Sequence, residues 1–181
     1  YLKANPSKPY ISCEYMHAMG NSLGGMELYT KLEDKYPGYQ GGFIWDYIDQ
    51  AVYRTLDNGE DVLAYGGDFD DRATDYCICT NGIGFADRVP SPKSQEVKFL
   101  YSDVKIHVCD GEVTIDNQSL FLNTNAYRFR FMLEKEGVCI AESQPDICVE
   151  PGQKTRLPIG HEIPKEPGEY CCTVSMVLAQ D

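Results

Sequence analysis

A strand-helix-strand pattern at the start of the chain is the strongest constraint on its fold. Residues 9–13 and 39–45 are short apolar segments with β-branched and aromatic residues, which predicts two buried strands. Apolar residues between them recur at the spacing of a helix with Asn21 or Ser22 as its N-cap: Leu23, Met26, Tyr29 or Leu28, and Leu32. This order predicts a parallel pair with a right-handed crossover, as in one repeat of a β/α barrel.

An acidic residue stands where the first predicted strand ends. Glu14 follows the strand, and His17 comes three residues later. In a parallel α/β barrel the carboxyl ends of the strands open onto the active site, so Glu14 is a candidate catalytic carboxylate. On position alone, an ion pair between Glu14 and a lysine or arginine is an equally good interpretation.

The segment from residue 46 to residue 90 is rich in Gly, Asp and Asn, and it predicts a long loop that contains one hairpin. Asp57-Asn58-Gly59 is a turn signal between residues 52–54 and 62–64. The acids Asp68, Asp70, Asp71 and Asp75 crowd the same loop. Their spacing is not that of a calcium-binding loop, so we interpret them as solvated turn residues.

A second helix is predicted after this loop, with Ser91 or Ser94 as its cap, Pro92 in its first turn, and Glu96, Val97, Leu100 and Tyr101 within it. Two strands and two helices make about a quarter of an eightfold barrel. We therefore expect that residues 1–104, the C-terminal part of a TIM barrel, do not reach their native shape without further repeats.

Period-two alternation begins near Val104 and continues to the end of the chain. It is clearest in residues 113–115, 127–133 and 170–177, with turns about every ten residues. This pattern is typical of an antiparallel β-sandwich with one buried face, which we assign to residues 105–181. At about 77 residues, this domain is large enough to fold alone.

Composition excludes some functions. The net charge of −12 argues against a nucleic-acid partner, and no apolar run approaches the length that spans a bilayer. The eight cysteines include Cys77-Ile78-Cys79 but no second pair to complete a metal site. We expect them to be buried free thiols in a reducing compartment, which favours a cytoplasmic location.

Four sequence blocks stand in one order along the first half of the chain: residues 13–22 (Cys-Glu-Tyr-Met-His-Ala-Met-Gly-Asn-Ser), 41–50, 64–69 and 81–88. Together they resemble the family 2 glycoside hydrolases, and most closely the large bacterial β-galactosidases of the lacZ type. The resemblance is strong over roughly residues 8 to 105. It implies a retaining exo-glycosidase that hydrolyses terminal β-D-galactosides such as lactose.

The resemblance also implies roles for particular residues. Glu14 matches the nucleophile that forms the covalent glycosyl-enzyme, His17 matches a contact to the galactose ring, and Trp45 matches the platform beneath it. Asn81 matches a residue that binds a sodium ion. The backbone carbonyl at the position of Ile78, where the family has an aromatic residue, binds the same ion. The remaining sodium and the magnesium ligands fall outside this chain. Without the motif, Trp45 would be interpreted as a core residue and His17 as a helix cap.

The acid/base of the family lies in an Asn-Glu pair, and no segment of this chain matches it. We therefore expect the chain alone to be inactive, since this proton transfer contributes about 10² to 10⁴ in rate. The resemblance identifies residues 105–181 as an immunoglobulin-like domain that supports architecture and contacts in a homo-oligomer.

Two alternatives remain open. One is a family 2 enzyme for another β-glycoside, such as a glucuronide. The other is a non-catalytic carbohydrate-binding or structural β-sandwich that uses exposed aromatics, for which Phe121, Tyr127, Phe129, Phe131 and Tyr170 are available. Their alternation is more typical of a core. His107 and His161 are isolated and form no catalytic group.

Overall fold

The computed structural model describes residues 1–74 and 79–179, and the chain divides into two compact units. The first unit is Tyr1–Tyr101 and the second is Ser102–Asp181. The boundary predicted from the sequence lies slightly later, after residue 104. No helix within the described residues has the length or the apolar character that a membrane crossing requires.

The first unit begins with a parallel strand pair. Strand β1 (Tyr10–Tyr15), helix α1 (Glu27–Lys35) and strand β2 (Tyr39–Ile44) follow one another, and β1 pairs with β2 in parallel. The predicted strand, helix and strand are therefore confirmed. The pairing brings the carboxyl ends of both strands to the same edge, because Tyr15 lies opposite Ile44.

Helix α1 starts later than predicted. Met26 is its N-cap and makes no side-chain cap hydrogen bond, so Asn21 and Ser22 are wrong as caps. The chain turns instead at Leu23 and Gly25, which have φ angles of 71° and 76°. A helix cannot continue through these left-handed residues.

Strand β1 is more exposed than predicted. Only Tyr15 of its six residues is buried, while Ile11 in β1 and Phe43 in β2 are exposed. The reason is that β1 and β2 form a two-stranded sheet with one face against a small core. That core consists of Tyr15, Ala18, Leu23 and Met26.

The rest of the first unit contains a hairpin and a second helix. Strands β3 (Val52–Thr55) and β4 (Asp61–Ala64) pair antiparallel, which confirms the hairpin. Helix α2 (Lys93–Leu100) is also confirmed, but its N-cap is Pro92 and not a serine. The hydroxyl of Ser91 donates instead to the carbonyl of Ile83 at 2.5 Å.

The second unit consists of two antiparallel sheets. Strands β5 (Val104–Cys109), β6 (Glu112–Asn117) and β9 (Lys154–Pro158) form one sheet in the order β5-β6-β9. Strands β7 (Tyr127–Lys135), β8 (Val138–Ser143) and β10 (Tyr170–Leu178) form the other in the order β10-β7-β8. The three strands predicted from alternation are confirmed, since they lie in β6, β7 and β10.

One apolar cluster joins residues of both sheets. Val113 and Ile115 come from β6, and Phe129 and Phe131 come from β7. The residues between the two phenylalanines and before them are arginines that face solvent. The alternation predicted from sequence therefore produces the buried face, and the aromatic residues of β7 serve as core.

The expectation that the cysteines are buried is wrong for most of them. Cys79 is buried and Cys172 is partly buried, while Cys13, Cys109, Cys139, Cys148 and Cys171 are exposed. The alternation of side chains along a strand explains two of the exposed thiols. Cys171 and Cys139 both pair with Glu134, and these cross-strand neighbours lie on the outer face of the sheet. Cys77 lies outside the described residues. The five exposed thiols and Cys172 are free.

A substitution in this core tests the assignment of the buried face. We expect Phe131→Ala to lower the free energy of unfolding of the second unit by about 3 to 5 kcal/mol, because the side chain is 1% exposed. Phe121→Ala is the matched control, since Phe121 is 87% exposed and should change stability by less than about 0.5 kcal/mol. Amide hydrogen exchange of β6 and β7 measures both effects. Equal protection in the two variants would contradict the assignment.

Candidate active site

Three neighbouring chain segments form the candidate site, and backbone hydrogen bonds hold them side by side. Trp45 directly follows β2; its N–H donates to the carbonyl of Tyr15 at 3.2 Å, and its carbonyl accepts from Ala18 at 2.6 Å. Asp46 continues the pairing on the other side. Its N–H donates to the backbone carbonyl of Asn81 at 2.9 Å, and its carbonyl accepts from the backbone N–H of Ile83 at 3.0 Å. Glu14, Trp45 and Asn81 therefore lie on three adjacent segments.

The third segment runs in the same direction as β2. Ile48 and Gly84 form a parallel bridge, and the N–H of Gly84 donates to the carbonyl of Tyr47 at 3.0 Å. The side chain of Asp49 adds a further link, since it accepts from the N–H of Gly82 at 2.7 Å. Glu14 and Trp45 thus lie at the carboxyl ends of parallel strands, the edge where parallel α/β folds place their active sites, and Asn81 begins the segment that pairs beside them.

Glu14 and His17 form a close pair on one side of the turn that follows β1. Glu14 Oε1 lies 3.7 Å from His17 Nε2, and the side chains are 53% and 41% exposed. Among the described residues no lysine or arginine forms an ion pair with Glu14, so the structural alternative of such a pair is not observed. The carboxylate is open to a ligand.

The turn between these two residues is strained. Met16 has a φ angle of 49°, in the left-handed region that costs a residue other than glycine roughly 1 kcal/mol. The reversal brings the side chain of His17 back to that of Glu14. Strained conformations of this kind persist only where the surrounding structure determines them, and they cluster at functional sites.

Trp45 presents its side chain to solvent at the end of β2. It is 41% exposed, so the alternative of a buried core tryptophan is not observed. An accessible indole offers a broad apolar surface with a single polar N–H. Such a surface can stack against the C–H face of a sugar ring.

Asn81 has the opposite environment. It is fully buried, and its backbone carbonyl accepts from Asp46. Its side-chain amide oxygen is a hard ligand atom of the kind that sodium, magnesium and calcium prefer. Ile78, the second predicted ligand, lies outside the described residues. Within residues 1–74 and 79–179, no three His, Cys, Asp or Glu side chains are grouped as metal ligands.

The acidic loop makes turn contacts. The carboxylate of Asp68 accepts from the N–H of Tyr65, and that of Asp71 accepts from the N–H of Gly67, both at 2.9 Å. The bond from Gly67 is the main reason why the pKa of Asp71 lies below its ordinary value. These contacts agree with the interpretation of Asp68 and Asp71 as turn residues, while Asp75 lies outside the described residues.

Two long-range contacts support the site and were not predicted from the sequence. The hydroxyls of Tyr15 and Tyr101 are 2.5 Å apart and join the end of β1 to the end of α2. Burial, followed by this hydrogen bond, raises the pKa of Tyr15 above that of an ordinary tyrosine. Lys93, the first residue of α2, donates from Nζ to the carbonyl of Ala18 at 2.5 Å. No local sequence signal marks either contact.

Comparisons with known proteins match both units. Residues 1–106 match the family model described as glycosyl hydrolases family 2, TIM barrel domain, and residues 113–181 match the model described as β-galactosidase, domain 4. A β-galactosidase of Halalkalibacterium halodurans is 54% identical over 184 residues, which cover 100% of this chain and 18% of that protein.

Other β-galactosidases are similarly close. One from Clostridium acetobutylicum is 54% identical, with 99% of this chain and 20% of the relative covered. One from Streptococcus thermophilus is 51% identical, with 99% of this chain and 17% of the relative covered. The chain therefore spans at most about a fifth of the length of these curated relatives.

Gly82 tests the pairing that places Asn81. A β-carbon at this position would lie 2.2 Å from the backbone nitrogen of Asp49 and 2.3 Å from the carbonyl oxygen of Gly84. We expect Gly82→Ala to separate the third segment from Trp45 and Asp46, at a cost of about 1 to 3 kcal/mol or more. Acrylamide quenching of Trp45, the only tryptophan in the chain, should therefore change.

The matched control for this substitution is Gly24→Ala. A β-carbon there meets no atom within 4 Å, so the quenching of Trp45 should stay unchanged. Identical quenching in the two alanine variants would contradict the close packing of Gly82.

Proposed function

The chain belongs to family 2 of the glycosyl hydrolases, and we propose that it carries the nucleophile side of a β-galactosidase active site. The observation that carries this proposal is the placement of Glu14, Trp45 and Asn81 on three adjacent segments, with His17 beside Glu14. The identity of about half of all residues to β-galactosidases over the whole chain supports the choice of a β-D-galactoside, such as lactose, as substrate.

The proposed reaction is a retaining hydrolysis in two steps. The carboxylate of Glu14 attacks the anomeric carbon, the bond from that carbon to the leaving oxygen breaks, and a covalent glycosyl-enzyme forms. Water then attacks the same carbon and the bond from that carbon to the oxygen of Glu14 breaks, which releases galactose and returns the carboxylate, while the proton of the water passes to the carboxylate that protonated the leaving oxygen. The exposure of Glu14 supports this role, because the carboxylate must reach the sugar.

The leaving oxygen needs a proton from a second carboxyl group. Retaining enzymes hold it about 5 to 5.5 Å from the nucleophile. No segment of the chain resembles the Asn-Glu pair that supplies it in this family. We propose that the acid/base belongs to another part of the full protein, and that this chain alone does not complete the reaction.

Trp45 and His17 bind the sugar in this proposal. The exposed indole of Trp45 stacks on the apolar face of galactose, and the imidazole of His17 hydrogen-bonds a ring hydroxyl beside the nucleophile. A neutral sugar places no charge in the site, so the net charge of −12 does not oppose binding.

Sodium is the cation that we propose for this site. The buried amide oxygen of Asn81 fits such an ion by its chemistry, and the carbonyl of Ile78 would be a second donor. When bound, sodium supplies a positive charge that holds a sugar hydroxyl. Magnesium would be held by residues outside this chain.

The architecture that we propose follows from the same family. The parallel β1-α1-β2 pattern supports a C-terminal part of a TIM barrel for the first unit, and the two sheets with one core support an immunoglobulin-like sandwich for the second. The second unit would serve as a scaffold in a cytoplasmic homo-oligomer. Phe129 and Phe131 are buried, so they are not available to stack on a glycan.

Removing the carboxylate of Glu14 tests the enzymatic role. We expect Glu14→Gln in the full-length protein to lower hydrolysis of an aryl β-galactoside by about 10³-fold or more, because an amide is a poor nucleophile. Glu27→Gln is the control, since Glu27 is an exposed acid of α1 that pairs with Lys31. A fluorinated galactoside should label Glu14 covalently. Label on another side chain would reject the assignment.

Sodium dependence tests the role of Asn81. We expect Asn81→Ala to raise the sodium concentration for half-maximal activity of the full-length protein by about 10-fold or more, because one oxygen ligand is lost. Activity should return at high sodium but not at equal ionic strength of tetramethylammonium chloride. An unchanged sodium dependence in the folded variant would contradict the assignment.

A further inference from the structure

We propose that Lys93 is a positioning residue for galactoside binding, which it supports by fixing the turn that carries His17. This inference rests on the proposed function. Lys93 is the first residue of α2, and its ammonium group donates to the carbonyl of Ala18, the residue after His17. The two residues are 75 positions apart in the chain, so this contact crosses from the last helix of the unit to the first strand turn.

The peptide groups of Ala18 are held from both sides. Its N–H donates to the carbonyl of Trp45 at 2.6 Å, and its carbonyl accepts from Lys93. The side chain of Ala18 is completely buried in the small core of the first unit. Ala18 is therefore fixed to Trp45 and to helix α2, and it directly follows His17, the residue that is proposed to bind the sugar ring.

The conformation before Ala18 explains why these hydrogen bonds are needed. Met16 is in the left-handed region, with a φ angle of 49°, and His17 stands between Met16 and Ala18. A strained residue returns to an ordinary conformation unless its neighbours prevent it. Lys93 supplies one of the two hydrogen bonds on the far side of His17, and its loss would let the turn relax and move the imidazole.

The choice of lysine for this contact also points to function. Lysine side chains are mostly exposed, whereas Lys93 is partly buried. It forms no ion pair with a carboxylate in the described part of the chain. The ammonium group is thus directed to a backbone carbonyl, with a charge-assisted hydrogen bond that is stronger than a neutral one.

The test compares three variants of the full-length protein. We expect Lys93→Met to raise KM for an aryl β-galactoside by about 10-fold while kcat changes by less than about 3-fold, because the affected contact is to the ring and not to the reacting carbon. Lys93→Arg keeps a hydrogen-bond donor, so its KM should lie between the KM of the unchanged protein and that of Lys93→Met. Lys98→Met is the control, since Lys98 is an exposed lysine on the same helix.

A double-mutant cycle with His17→Ala decides whether Lys93 acts through the histidine. We expect the Lys93→Met/His17→Ala variant to have the KM of His17→Ala alone, because the turn no longer carries the binding group. Additive increases in KM, or an unchanged KM for Lys93→Met, would overturn the proposal. These results are separate from the test of the nucleophile, since retained activity in Glu14→Gln would reject the proposed function and leave the contact of Lys93 in place.

Discussion

The candidate site depends on the backbone pairing of Trp45 and Asp46. These two consecutive residues hydrogen-bond to the turn after β1 on one side and to the segment that starts at Asn81 on the other. Neighbouring strands lie about 4.8 Å apart whatever their side chains are. Sheet geometry therefore sets the spacing of Glu14, Trp45 and Asn81. A side chain in the site can change without moving the others, provided that the pairing persists.

The elements of the fold were largely predictable because their signals are local. The β3-β4 hairpin follows from the turn at Asp57-Asn58-Gly59, and β7 follows from alternation between arginines and phenylalanines. The start of α1 was not predictable from apolar spacing. Leu23 fits the helical spacing but has a left-handed backbone beside Gly24 and Gly25. The prediction that β1 is buried was also wrong, because the exposure of a strand depends on which element covers it and not on its own residues.

The candidate site was predictable in its parts but not in its supports. Glu14 and His17 are three residues apart, and their proximity follows from the turn between them. The exposure of Trp45 could not be read from the sequence, since a single tryptophan after an apolar strand fits a core equally well. The contacts of Lys93 with Ala18 and of Tyr15 with Tyr101 join positions far apart in the chain. Such contacts arise from packing and leave no periodic signal.

The two units are stabilised in different ways, and this difference matters for the site. In the second unit, large apolar side chains of two sheets share one core, and each contributes about 1.5 to 3 kcal/mol by burial. In the first unit neither α1 nor α2 contains a buried residue, and the core is small. Directional hydrogen bonds, each with a net contribution of about 1 kcal/mol, therefore account for a larger share of the stability near Glu14. Because such bonds fix orientation more than they add stability, changes in them alter geometry before they unfold the unit.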